Sequence, residues 1–203
     1  MKIALIGATG YVGSHLLAEA QRRGHGITAV ARRIDGVQAA PNVTPLRGDV
    51  ADEADLAARI AGHDAVISAT KFLRTDAAKL IRIVKLAQVP RWLVVGGAGS
   101  LEVAPGVALV DTPDFPAAFR AEAMAGRAFL DTLRSERELN WTFLSPSASL
   151  EPGPRTGKFR GGGDQLLVDE SGNSHISVAD YAVAMIDELE RPQHSRQRFT
   201  VGY

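Results

Sequence analysis

Cysteine is absent from the 203 residues. That removes disulfides, thiolate metal sites and cysteine nucleophiles together, and leaves nothing that argues for secretion. Net charge is absent as well, because 23 Lys+Arg balance 23 Asp+Glu. A nucleic-acid-binding domain usually carries a basic excess, so no nucleic-acid partner is expected. No apolar run approaches the ~20 residues of a membrane span, so no membrane partner is expected either. The N-terminus starts on a strand-like run, with no basic region and cleavage site before it. A soluble cytoplasmic protein is the expectation. The five histidines are scattered at 15, 25, 63, 175 and 194, without metal-ligand spacing, so no metal is expected. There is no G-x-S-x-G elbow, and Gly157-Lys158 runs into Phe159 rather than completing a P-loop.

What is present is an ordinary globular balance, 45% hydrophobic and 23% charged, over a length that fits one domain, 1–203. The chain alternates strand-like and helix-like runs. Residues 2–6 read K-I-A-L-I and stop at Gly7, and 11–23 carry apolar residues at helical spacing up to a Gly24-His25-Gly26 stop. Strands are predicted at 27–31, 43–46, 65–68, 92–95 and 141–144, with helices at 52–60, 76–88 and 117–139. Asp52 is a natural N-cap for the second helix. The last quarter predicts a short strand at 165–168, a helix at 177–190 and a final strand at 198–201. This order implies an α/β fold: a doubly wound, mostly parallel Rossmann-type sheet with helices on both faces. The long segments at about 96–118 and 145–177 follow strand C-terminal ends, the edge where such sheets bind ligands.

The sharpest motif is Gly7-Ala8-Thr9-Gly10-Tyr11-Val12-Gly13, between the first strand and the first helix. Its glycines permit a tight turn and close approach of a pyrophosphate, with first-turn amides and the helix dipole pointing at the phosphate. The spacing is G-x-x-G-x-x-G rather than the standard G-x-G-x-x-G, and a purely structural turn is the competing reading. At the end of the second strand an NAD site places an acidic residue on the ribose. Here Arg32 and Arg33 stand instead, suited to a 2′-phosphate and hence to NADP(H) over NAD(H), or else a solvated basic turn. Asp49, with Val50 beside it, either meets the adenine edge or caps a helix. Ser68, Ala69 and Thr70 end the fourth strand over the middle of a cofactor, small enough for close approach and equally suited to a plain turn.

Gly7 to Gly13, Gly48-Asp49-Val50, the run VVGGAGS ending at Ser100, Phe143-Leu144-Ser145-Pro146-Ser147 and the run HISVADYA from His175 together resemble the atypical short-chain dehydrogenase/reductases. The likeness is to their NAD(P)H-binding group, which includes flavin reductase/biliverdin-IXβ reductase and NmrA-like proteins, and within it to small bacterial proteins labelled NADH-flavin reductases. It covers essentially the whole chain. The resemblance implies that the glycine loop holds the pyrophosphate and the basic residue after the second strand holds the 2′-phosphate. It also implies that the Gly-Asp-Val turn meets adenine, and that Ser145 and Pro146 lie by the nicotinamide. Gly97, Ser100, Phe119, Ser147 and His175 fall in segments expected on the substrate side.

The departures matter. Dehydrogenases, epimerases and dehydratases of this type use Tyr-x-x-x-Lys, in which lysine lowers the tyrosine pKa. The three tyrosines are Tyr11, Tyr181 and Tyr203; four residues after the first two stand His15 and Met185, and the third ends the chain. Phe119 lies where the tyrosine is expected. Hydride transfer to a flavin, quinone or similar conjugated acceptor needs no such pair, because the acceptor is already electrophilic. A reductase of that kind, with flavin as a substrate, is the leading expectation. The alternatives are an NADP-binding redox-sensing regulator without turnover and, less favoured, an epimerase or dehydratase. No catalytic residue, acceptor or oligomeric state follows from the sequence.

Overall fold

A computed structural model describes residues 1–203. The elements are β1 (Lys2–Ile6), α1 (Tyr11–Arg22), β2 (Gly26–Ala31), β3 (Val43–Arg47), α2 (Glu53–Ile60), β4 (Ala65–Ser68), α3 (Ala77–Ala87) and β5 (Trp92–Val95). They continue with β6 (Glu102–Ala104), β7 (Val107–Ala108), α4 (Ala117–Ser135), β8 (Trp141–Ser145), β9 (Ser149–Glu151), β10 (Arg160–Gly162), β11 (His175–Ser177), α5 (Val178–Glu190) and β12 (Gln197–Gly202). Eight strands form one sheet in the order β10-β12-β8-β5-β4-β1-β2-β3. All neighbours pair in parallel except β10, which runs antiparallel to β12. The order reverses between β1 and β4, the switch point at which a Rossmann sheet opens a ligand crevice.

The alternation within each strand explains the two layers. Ile3 and Leu5 of β1 face a core built with Leu16 and Ala20 of α1 and Tyr181, Met185 and Leu189 of α5. Ala4 and Ile6 face the opposite core, with Leu56 and Ile60 of α2, Leu80, Ile83 and Val84 of α3, and Phe129 and Leu133 of α4. Adjacent side chains in a strand point to opposite faces, so a strand covered on both sides must be apolar throughout. Trp92 and Trp141 sit side by side in this second core as packing residues. No helix is long and apolar enough to cross a membrane.

The first two-thirds follow the predicted order closely. Asp52 and Asp76 cap α2 and α3 through Asp55 N–H and Lys79 N–H. The later chain departs from it. The strand expected at 165–168 does not form; Gln165 makes only a single bridge to Glu102, and the nearest strand is β10, at Arg160–Gly162. Its sequence, Arg-Gly-Gly, has no apolar alternation to read. The 96–116 stretch contains the β6–β7 hairpin, and β9 and β11 pair in parallel across the long 145–177 segment. The longest helix ends at Ser135 rather than 139, where Glu136 turns its carboxylate onto the amides of Glu138 and Leu139. Of the scattered histidines, His25 and His63 are buried, bonded to Glu190 and to Ile60 O and Thr28 respectively.

Candidate functional site: two clefts at one sheet edge

The first cleft opens at the C-terminal ends of β1–β4. Gly7, Thr9, Gly10, Arg32, Asp49, Val50, Ala69 and Thr70 line it, as does a group absent from the sequence expectations: Lys71, Arg74 and Thr75. Two glycines are required by contact. A Cβ on Gly7, whose φ is +88°, would lie 2.3 Å from Ala69 O, and one on Gly13 would lie 2.1 Å from Gly7 O. Here the motif's first and third glycines serve backbone packing between β1, α1 and the end of β4. Gly10 is different: its φ is −74° and a Cβ would meet only Gly7 O at 3.3 Å. It stands at the N-cap of α1 with no side-chain cap, so the first-turn amides are left for an outside acceptor. That uncapped terminus, beside a cradle that Cβ atoms would fill, fits a dinucleotide phosphate.

The side chains of several expected residues point elsewhere. Tyr11 is exposed and Val12 packs against the first core, while their amides belong to the first turn of α1. Arg32 lines the cleft, whereas Arg33 is exposed outside it. Asp49 accepts from Ala51 N–H at 3.0 Å, and the helix cap is Asp52, so the capping alternative for Asp49 lapses while its place in the cleft stands. Ser68 is buried, with its Oγ accepting from Trp92 Nε1 at 3.0 Å. Ser145 and Pro146 are buried at the end of β8 and line neither cleft.

The second cleft lies beyond β5, between the Gly97–Ser100 turn, the residue 109–116 segment and α4, with a cavity volume of about 430 Å³. Gly97, Ser100 and Phe119 line it, with Phe72, Phe115, Asp114 and Glu122. Phe119 is 66% exposed, a ring at the mouth. Ser147 and His175 do not reach it. Ser147 is buried and donates to Val201 O at 2.9 Å. His175 packs edge-on against Tyr203, 5.2 Å between centroids, over a separate open depression with Lys158 and Ser177.

Below the second cleft, Arg198 of β12 is buried and pairs with Asp164; it also reaches Ser100 Oγ at 3.5 Å and Ser145 Oγ at 3.4 Å. Burial pulls its pKa down, against the pull of Asp164. No motif marked this arginine, because it is one basic residue in an apolar strand. Tyr181 is wholly buried and donates to Leu144 O at 2.7 Å; burial pushes its phenol well above the usual tyrosine range. It props the end of β8 and faces no cleft.

A family model described as NAD(P)H-binding matches residues 7–189. A solved structure from Burkholderia pseudomallei, described as a "putative exported protein", is 47% identical with a TM-score of 0.90, covering 100% of both chains. A "putative epimerase" from Bacteroides thetaiotaomicron is 45% identical with a TM-score of 0.95, over 100% of this chain and 96% of that one. A "putative NADH-flavin reductase" from Streptococcus pneumoniae is 36% identical with a TM-score of 0.85, over 100% and 99%. Their names disagree on chemistry and their folds agree. The protein therefore belongs to the NAD(P)H-binding family, with the Rossmann-like fold of the atypical short-chain dehydrogenase/reductases.

Proposed function

We propose that the protein is an NADPH-dependent reductase that passes hydride to a flavin, quinone or similar conjugated acceptor. The observation that carries this reading is the pairing of the clefts: one bordered by the glycine turn, Arg32, Lys71 and Arg74, the other walled by phenylalanines, with residues 69–75 lining both. When bound, the reduced nicotinamide supplies the hydride. The chain's residues do the rest. The Gly7–Gly10 turn and first-turn amides of α1 take the pyrophosphate, Arg32 takes the 2′-phosphate, and Asp49 with Val50 borders the adenine. Phe72, Phe115 and Phe119 offer flat apolar walls to a planar acceptor, and Ser100, with Arg198 behind it, offers a hydroxyl.

The epimerase name of the Bacteroides relative suits this chain less well. Phe119 has no proton to give, and Tyr181 is sealed in the core on a carbonyl. The experiment is steady-state NADPH oxidation against a panel of flavins and quinones. Turnover on at least one acceptor is expected. Tight NADPH binding with no turnover on any would replace the reductase with a redox-sensing regulator.

A further inference from the structure

Glu122 lines the second cleft, yet its carboxylate is engaged elsewhere. One oxygen accepts from Phe72 N–H at 2.7 Å and the other from Leu73 N–H at 3.2 Å. Those amides belong to the 3₁₀ turn Phe72–Arg74, which follows β4. The segment has two faces. Lys71, Arg74 and Thr75 line the cofactor cleft, while Phe72 lines the acceptor cleft. The Phe72 ring packs on Phe129 and Phe143, with centroids 5.1 and 6.0 Å away, and lies so close over Gly126 that a Cβ there would come within 2.9 Å of it. The chain's ion pairs run through other basic residues, such as Arg23, Arg91 and Arg198, and leave the Lys71 and Arg74 charges for a ligand. Phe72 and Arg74 share one three-residue turn, so its backbone runs from one cleft to the other.

We propose that Glu122 is a positioning residue that couples the two clefts. By holding the Phe72 and Leu73 amides from α4, it sets where Lys71 and Arg74 meet the cofactor's phosphates and how wide the acceptor cleft stands. Only the identity of the two ligands rests on the reductase reading. A carboxylate accepting two neighbouring amides makes charge-assisted bonds of fixed geometry. Glutamine keeps the size but has one acceptor oxygen, so its NH₂ would confront the second amide.

The test is NADPH titration by nucleotide fluorescence for wild type, Glu122→Gln, Arg74→Ala and the double variant, each over a range of salt. Glu122→Gln should weaken NADPH by about tenfold although it lines the other cleft. Its dependence on salt should flatten as basic side chains leave the phosphates. Arg74→Ala should give a loss no larger than that, and the double variant little more than Glu122→Gln alone, because the Arg74 contact is lost in both. The acceptor KM should rise in Glu122→Gln as Phe72 loosens. Were Glu122→Gln not to fold, Glu122→Asp carries the same cycle, its carboxylate being one methylene too short for both amides. Additive losses, or NADPH binding within about twofold of wild type at unchanged salt dependence, would overturn the proposal and leave Glu122 a cleft wall. Wild type that binds NADPH but reduces no acceptor would remove the reductase reading instead; the binding cycle needs no turnover.

Discussion

Arg32→Ala tests the cofactor cleft most directly, because its neighbour is an internal control. Arg32 and Arg33 are adjacent, of one residue type and both exposed, but only Arg32 lines the cleft. A charge-assisted hydrogen bond contributes roughly 1.5–3 kcal/mol. A guanidinium on a phosphate makes one or two, for a ceiling of about 3–6 kcal/mol. Two features of the structure reduce that. The arginine is open to solvent, where the high dielectric of water weakens even a contact between opposite charges. Lys71 and Arg74 also line the same cleft and keep part of the attraction when Arg32 is removed. About 1–2 kcal/mol remains, a loss of roughly 5- to 30-fold in NADPH affinity. NADH lacks the 2′-phosphate, so its affinity should change by less than about twofold. Arg33→Ala should leave both cofactors near wild type. The assay is fluorescence titration of both nucleotides at low and at physiological salt. Equal losses for NADPH and NADH in Arg32→Ala, or a larger NADPH loss in Arg33→Ala, would refute the assignment.

The other predictions concern the glycine loop, the aromatic residues and acid stability. Gly10→Glu should keep its far-UV circular dichroism and lose NADPH binding, because a Cβ there needs only a few tenths of an ångström from Gly7 O while the carboxylate meets the phosphate; Gly13→Ala should instead lower the melting temperature, the 2.1 Å contact with Gly7 O costing about 1–3 kcal/mol. Tyr181→Phe should cost about 0.5–1.5 kcal/mol in a denaturant titration and retain most turnover, since Leu144 O still accepts from Gly96 N–H. Phe119→Ala should raise the acceptor KM more than it lowers kcat if the ring only shapes the mouth. Glu19 supplies the pH prediction: burial alone would raise its pKa, but Arg155, Arg22 and Arg23 hold it down from 4.5 to about 2. Its stabilisation is therefore complete above about pH 4.5 and is lost as pH falls toward 2; Glu19→Gln should flatten that part of the stability profile in urea titrations, by on the order of 2 kcal/mol.

Where the sequence was legible, local pattern and tertiary role coincided. β1, β4 and β5 have the bounds that their apolar runs predict, because strands buried on both faces announce themselves. Asp52 caps α2 as expected, because a short acidic side chain just before a helical period accepts from the free amides of the first turn. β9, β10 and β11 were illegible: each has three residues and is held by pairing with distant chain rather than by its own pattern. The same distinction runs through the candidate site. The glycine loop was visible because its geometry is local. Its division of labour was not, because Gly7 is constrained by Ala69, sixty-two residues on. Lys71, Arg74 and Glu122 carry no motif; only the fold sets the post-β4 turn between α4 and the cleft.

The sheet's two borders have a consequence for solubility. β3 forms one border, and its central residue, Pro45, has no amide hydrogen to offer an incoming strand. β10 forms the other border and is only three residues long, two of them glycine. A border without a continuous row of donors is a poor template for strand addition, and strand addition is how α/β sheets most readily nucleate aggregates. Any association of this protein with another copy or another chain is thus steered away from extending the sheet and toward helix and loop surfaces.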